Sequence, residues 1–163
     1  MDGISINELS PDQRAKNGIF LAFQAIPEVP GVKLFEFLKT IYDTSIGTAS
    51  TFLSFKSLIV PILEHLQLSK DFLWRDLNVG FSGGERRKLE ILQMKLLQPK
   101  YIILDEIDSG LDVDAFKVVA QLVSDLDSEH NSFIIITHIF SILEYLPVDE
   151  VIIMSDGKVE KKG

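Results

Sequence analysis

Residues 80–114 read GFSGGERRKLEILQMKLLQPKYIILDEIDSGLDVD, and the two halves of this stretch decide the fold. Phe81-Ser82-Gly83-Gly84-Glu85 is a small-residue turn running into an amphipathic helix that Pro99 ends. Two glycines at a helix start permit close backbone approach, and the first-turn N–H groups lack intrahelical partners. With the helix dipole they form a seat for a phosphate-like anion. The competing reading is a capping box, because Ser82 and Glu85 have the S-x-x-E spacing. Tyr101-Ile102-Ile103-Leu104 reads as a buried strand that delivers Asp105 and Glu106 at its C-terminal end, with Ser109-Gly110-Leu111-Asp112 directly after. A strand ending in two carboxylates is the layout of an α/β nucleotide site. There one acid holds Mg²⁺, usually through water, and the next polarises the attacking water.

In this order the motifs resemble those of ABC-type ATPases: signature Ser82 to Glu85, Walker B Ile102 to Asp105, catalytic Glu106, D-loop Ser109 to Asp112. The longer wording NVGFSGGERRK and LDEIDSGLD, with FLAFQ upstream, is most similar to the SufC family, the ATPases of the Suf iron–sulfur cluster assembly system. The resemblance covers nearly the whole chain. It implies an α/β fold, a partial ABC ATPase (P-loop NTPase) domain with a mainly parallel sheet and an inserted helical subdomain. The chain then divides into a core segment with the Q-loop (1–30), the helical subdomain (31–78), and a core segment with signature, Walker B, D-loop and His-switch (79–163). It also implies ATP and Mg²⁺ as ligands. ATP would be sandwiched in a dimer, with the signature loop acting across the interface on the partner subunit's nucleotide. Glu106 and His138 would be catalytic, with Gln24, Ser82, Gly83, Gly84, Glu85 and Asp112 at the nucleotide. Asp105 and Gln24 would hold the metal, partly through water.

Composition narrows the field independently. The chain has 163 residues, 46% of them hydrophobic, enough for one packed domain. The net charge of −8 without a basic stripe argues against a nucleic-acid surface. There are no cysteines, so disulfides are excluded and a cluster cannot be ligated through the chain's own thiolates. No apolar run reaches transmembrane length and no signal-peptide pattern opens the chain, so no direct membrane insertion is expected. A cytoplasmic location is expected, or the plastid stroma in a plastid-bearing source.

Along the chain, Ser10-Pro11-Asp12-Gln13 reads as a helix start and Gly18 as that helix's end. Ile19 to Phe23 reads as a short strand leading to Gln24. From Gly31 to about Trp74 the pattern is helical, with Leu34, Leu38 and Ile41 on one face and Phe52, Phe55, Ile59, Ile62, Leu63 and Leu66 on a second. Pro61 predicts a kink or a new helix. Phe35, Phe37, Tyr42 and Trp74 are candidate docking aromatics, with burial the favoured reading. Arg86, Arg87 and Lys88 read as a solvated face able to attract phosphate charge. A helix is expected from about Asp112, and a strand from Phe133 to Ile136 ending in Thr137-His138. A short helix from Ile139 stopped by Pro147 follows, then a buried strand Val151 to Met154, with Asp156-Gly157 as a hairpin turn.

The sequence departs from the ABC pattern in one respect. No G-x-x-x-x-G-K-[ST] occurs, so the phosphate-cradling loop, its lysine and its Mg²⁺-binding hydroxyl are not in these residues. The strand before that loop is missing with it, and it is expected beside the Walker B strand. The chain therefore reads as truncated, weak in ATP binding and inactive by itself, and its mean hydropathy of +0.20 fits a core with open edges. The leading expectation is a SufC-like ATP-hydrolysing subunit acting on Suf scaffold proteins (SufB/SufD-like) through the helical subdomain, with ATP-dependent dimerisation in the intact form. The alternatives are the ATP-binding subunit of an ABC membrane transporter and a non-catalytic interaction module.

Overall fold

The computed structural model describes residues 1–163 apart from 2, 4, 109–110, 112, 127–129 and 141–143; of residues 113 and 114 it describes the backbone alone. Helix α1 (Pro11–Lys16) starts behind Ser10, whose backbone N–H donates to Gln13 Oε1 at 2.9 Å. Gly18 follows at φ +86°, and a Cβ there would press on Lys100 at 3.2 Å, so both conformation and space call for glycine. The chain continues as β1 (Ile19–Ala22) and β2 (Val29–Lys33).

Two helices come next, α2 (Leu34–Ile46) and α3 (Phe52–His65). Gly47 closes α2 in the left-handed region, and Thr51 caps α3 by accepting from Ser54 N–H. α3 runs on past Pro61 without a new helix starting there. The ring sits on the exposed side, and the bond it removes is the one to the Ser57 carbonyl, also on the exposed side. Phe55, Ile59 and Leu63 stay fully buried on both sides of the proline, and that packing outweighs one lost hydrogen bond. A 3₁₀ turn (Lys70–Trp74) and β3 (Asp76–Leu77) return the chain to β2, which pairs antiparallel with β3. The sequence pattern had no strand signal here, because the pair is short and mostly exposed. Phe35 is buried and stacks at 5.4 Å on Trp74, while Trp74 itself is 48% exposed.

Helix α4 (Gly83–Leu97) then precedes β4 (Tyr101–Asp105), α5 (Val113–Ser124) and β5 (Ser132–Ile136). β1, β4 and β5 form a parallel sheet in the order β1-β4-β5. One face is covered: Ala22, Ile102 and Leu104 lie in one buried cluster with Leu89, Leu92, Phe116, Val119 and Val123 of the two helices, and Phe133 and Ile135 pack against it. The other face carries the row Leu21, Ile103 and Ile134, in register across the three strands, and Leu21 and Ile134 on it are exposed.

Two expectations are corrected. β4 has a strand on each side, so among the described residues any further strand of this sheet would lie beyond β1 or β5 and not beside the Walker B strand. The last strands, β6 (Ile152–Ser155) and β7 (Lys158–Lys162), form a separate antiparallel hairpin. β6 is exposed throughout rather than buried, because its only partner among the described residues is β7. The turn is as read: Asp156 and Gly157 both have positive φ (49° and 73°), the requirement of a type I′ hairpin. The helix expected from Ile139 falls partly on residues 141–143, outside the described residues.

Candidate functional site

The C-terminal ends of the parallel strands bring three of the sequence candidates together. Gln24 follows β1, Glu106 follows β4, and His138 follows β5. Gln24 Nε2 donates to Glu106 Oε2 at 2.5 Å, across 82 residues of sequence. His138 Nδ1 lies 3.7 Å from Glu106 Oε1, with the imidazole largely exposed. Glu106 is thus the hub of the corner, with Gln24 holding one carboxylate oxygen and His138 facing the other.

The Glu106 backbone is held as firmly as its side chain. Its φ of 47° is unusual for a residue with a Cβ. Its N–H donates to Ile136 O at 2.9 Å, and its carbonyl accepts from Arg87 Nη2 at 3.3 Å. Arg87 was expected on a solvated face; it is 4% exposed instead. Its guanidinium also donates to Phe23 O at 2.6 Å, Gln24 O at 2.9 Å and Glu90 Oε2 at 2.7 Å. One planar fork therefore ties the signature helix to the backbone of both Gln24 and Glu106, a geometry that lysine lacks. Arg86 is likewise engaged, donating to Phe81 O at 3.0 Å and pairing with Glu28. The i, i+3 spacing of Arg87 and Glu90 was visible in the sequence, but nothing there pointed their side chains inward.

Burial raises the Glu90 carboxyl above the usual carboxylate range, against the opposing pull of Arg87 and the Phe23 N–H. Asp108, absent from the sequence candidates, is 3% exposed and accepts from Thr137 Oγ1 at 2.5 Å. It fixes the residue before His138 to the loop after Glu106. Its other carboxylate oxygen has no hydrogen-bond partner among the described residues.

The signature turn stands at the start of α4. Ser82 Oγ accepts from Glu85 N–H at 3.3 Å, and Glu85 Oε2 accepts from Ser82 N–H at 2.7 Å. The capping box is therefore formed, and Ser82 and Gly83 are still exposed at the helix N-terminus. The cap and an anion seat are compatible, since the cap uses two of the helix-start donors and leaves others free. Asp112, with Ser109 and Gly110 of the D-loop, lies outside the described residues.

The donor set at the corner is oxygen-rich: the carboxylate of Asp105 at the end of β4, the Gln24 amide, and the Glu106 carboxylate. Such groups suit a hard divalent cation in kind. Among the described residues no three acidic or histidine side chains are gathered closely enough to hold one unaided. Asp105 and Gln24 would bind Mg²⁺ with water and phosphate oxygens completing its shell, and the ion would neutralise phosphate charge. No helix among the described residues is long and apolar enough to cross a membrane.

A parallel sheet whose strand ends carry glutamine, Asp-Glu and histidine, with a signature turn at the head of a packed helix, defines an ATP-binding cassette of the ABC type. The dimeric cassette MJ0796 bound to ADP and Pi superposes with a TM-score of 0.81 at 20% identity, over 100% of this chain and 71% of that one. A second structure of dimeric MJ0796 gives 0.80. No family model matches the chain. The "Probable ATP-dependent transporter ycf16" of Pyropia yezoensis is 47% identical over 165 residues, covering 99% of this chain and 66% of the relative. The "Probable ATP-dependent transporter SufC" of Escherichia coli (strain K12) is 44% identical over 166 residues, at 99% and 66% coverage. The "Iron-sulfur cluster assembly protein SufC" of Plasmodium berghei is 41% identical, with 45% of its length covered. The chain belongs to the ABC ATPase family of SufC and ycf16. It spans at most 66% of the length of these relatives.

Proposed function

We propose that this chain carries the water-activating half of a SufC-like ATP hydrolase that drives iron–sulfur cluster assembly on Suf scaffold proteins. The observation that supports this is the convergence of Gln24 and His138 on the Glu106 carboxylate. Glu106 orients and polarises the attacking water, His138 meets the γ-phosphate, and Asp105 with Gln24 holds Mg²⁺. Ser82 to Glu85 serve the partner subunit's nucleotide in an ATP-dependent dimer, together with Asp112. Suf scaffold proteins dock on the helical segment 31–78, where Trp74 and Phe52 are exposed aromatics. The setting is the cytoplasm, or the plastid stroma in a plastid-bearing source.

These 163 residues include no phosphate-cradling loop, so by themselves they bind ATP no more tightly than the millimolar range, about −4 kcal/mol, and turn it over negligibly. The reading is tested by grafting residues 1–163 in place of the matched region of the Escherichia coli SufC relative. The expected result is ATP turnover that depends on Glu106 and rises with a Suf scaffold protein present. A folded graft whose turnover is indifferent to Glu106→Gln refutes the assignment. The printed names of the ycf16 and E. coli relatives favour a second reading, a transporter's ATP-binding subunit. Co-purification with a membrane protein in place of a soluble scaffold would decide for it.

A further inference from the structure

Arg75 belongs to one part of the chain by its backbone and to another by its side chain. Its carbonyl accepts from Leu34 N–H at the start of α2 at 3.0 Å, and its own N–H donates to Phe72 O at 3.1 Å, so the backbone is part of the helical segment. The side chain reaches along the four residues that lead from β3 to Ser82. Nη2 donates to Val79 O and to Gly80 O, both at 3.2 Å. The guanidinium carbon lies 4.4 Å from the centre of the Phe81 ring and 5.0 Å from that of Phe72, within cation–π range of both. Those two rings are buried and meet edge-on at 4.6 Å. The next carbonyl is taken as well: Phe81 O accepts from Arg86 Nε at 3.0 Å, and Arg86 also donates to Ile26 O at 3.4 Å. Guanidinium groups therefore hold three successive carbonyls immediately before the signature turn. Gly80, in the middle, has φ +66°, a conformation that a residue with a Cβ rarely adopts.

We propose that Arg75 is a positioning residue for the signature turn. It ties the approach to α4 to the helical segment, and so sets the direction in which Ser82, Gly83 and Gly84 meet the partner subunit's nucleotide. The helix begins two residues after Phe81, so the peptide planes of 79–81 fix the angle at which its unpaired first-turn N–H groups point. Arginine suits the task, because one planar group donates to two carbonyls while its face lies against the aromatic rings; an ammonium has no such face. Arg75 is exposed, so its removal opens no cavity in the core. What its removal takes away is the orientation of the chain entering α4. The role toward nucleotide rests on the reading above, whereas the clamp on residues 79–81 does not, and the experiment separates the two.

The first arm compares hydrogen exchange in this chain and its Arg75→Ala variant, without nucleotide. The amides of Phe81, Ser82 and Glu85 donate to Asn78 O, Glu85 Oε2 and Ser82 Oγ. In the variant they should exchange roughly tenfold or more faster, while those of 34–46 and 101–105 are unchanged. The second arm uses the Escherichia coli SufC graft described above, carrying Glu106→Gln so that ATP is retained. There Arg75→Ala should leave the affinity of the monomer for ADP unchanged and raise the Kd of the ATP-driven dimer on the order of tenfold, because only the contact made in trans is misdirected. Unchanged exchange at all three amides, or faster exchange spread evenly over the chain, overturns the clamp. Unaltered dimerisation, or a loss of ADP affinity in step with it, overturns the role toward nucleotide. A graft that fails to dimerise with ATP even with Arg75 in place refutes the function proposed above and that role with it, and the exchange arm still decides the clamp.

Discussion

Gln24 and Glu106 stand 82 residues apart in the chain, and the Gln24 side-chain amide donates to the Glu106 carboxylate at 2.5 Å. This contact joins the end of β1 to the end of β4, so the carboxylate's direction is set by a residue from another strand. Gln24→Ala should leave Glu106 chemically intact but free to turn, lowering kcat of the grafted enzyme by roughly 10²-fold. Glu106→Gln, which removes the base in the proposed mechanism, should cost roughly 10²–10⁴-fold. Steady-state ATPase assays on both variants check the order. A Gln24→Ala loss equal to that of Glu106→Gln would mean that the glutamine's hold on Mg²⁺ outweighs its hold on the Glu106 carboxylate.

Arg87 carries the second prediction. Its guanidinium is 4% exposed and meets Glu90, itself 6% exposed, together with three backbone carbonyls. Arg87→Ala leaves a buried carboxylate and three acceptors without their donor, and should cost about 3–5 kcal/mol in denaturant unfolding. The Glu90 carboxyl already sits high from burial, and loss of Arg87 should raise it further. For an acid raised in the folded state, stability is greatest at low pH and declines as pH climbs through the folded value. The Arg87→Ala penalty should therefore shrink on acidification and grow toward neutral pH. A penalty independent of pH would show that the carbonyl contacts alone carry the cost.

How much of this was legible in the sequence depends on what each feature needs. The placement of Asp105 and Glu106 was readable because the pair closes a short apolar run, while Gln24 and His138 stood out only through the family resemblance; a parallel sheet aligns the ends of such runs on one edge. The Asp156-Gly157 turn was readable because its chemistry is local. The inward turn of Arg87 was not, since three consecutive cations look alike until the helix's packed side is known. Nor was the exposure of β6: Ile152, Ile153 and Met154 have the composition of a core strand, and only their missing neighbour leaves them on the surface. Of the two outcomes expected at Pro61, a new helix does not start there, because proline's helical cost is local while the packing of Phe55 and Leu63 that keeps the helix continuous is tertiary.

Asp43 supplies a pH dependence of the ordinary carboxylate kind. It accepts from Lys39 Nζ and Ser50 Oγ, both at 2.5 Å, and from Ser50 N–H at 3.0 Å, fastening α2 to the approach of α3. The Lys39 contact first, then Ser50, holds its carboxyl down at about 2. An acid lowered in the folded state adds stability above its unfolded value of 3.8, and that stability is lost as pH falls toward about 2. Asp43→Asn should lower Tm at pH 7 and converge with the unmutated chain near pH 2. Parallel melting curves across that range would instead place the residue's contribution in packing.

Ser82 separates two roles that the sequence left superimposed. Its hydroxyl caps α4 by accepting from Glu85 N–H at 3.3 Å, while the residue stays exposed where a partner's nucleotide would arrive. Ser82→Ala should cost about 1 kcal/mol, the ordinary worth of an N-cap. Ser82→Asp keeps a capping oxygen and suits the helix dipole, so stability should hold to within a few tenths of a kcal/mol. It also sets a negative charge against incoming phosphate, so ATP-driven dimerisation of the grafted enzyme should fail in Ser82→Asp and survive in Ser82→Ala. Chemical unfolding and size-exclusion with ATP, run on both variants, read the two roles apart. If Ser82→Asp dimerises normally with ATP, the turn at the head of α4 is a cap and nothing more.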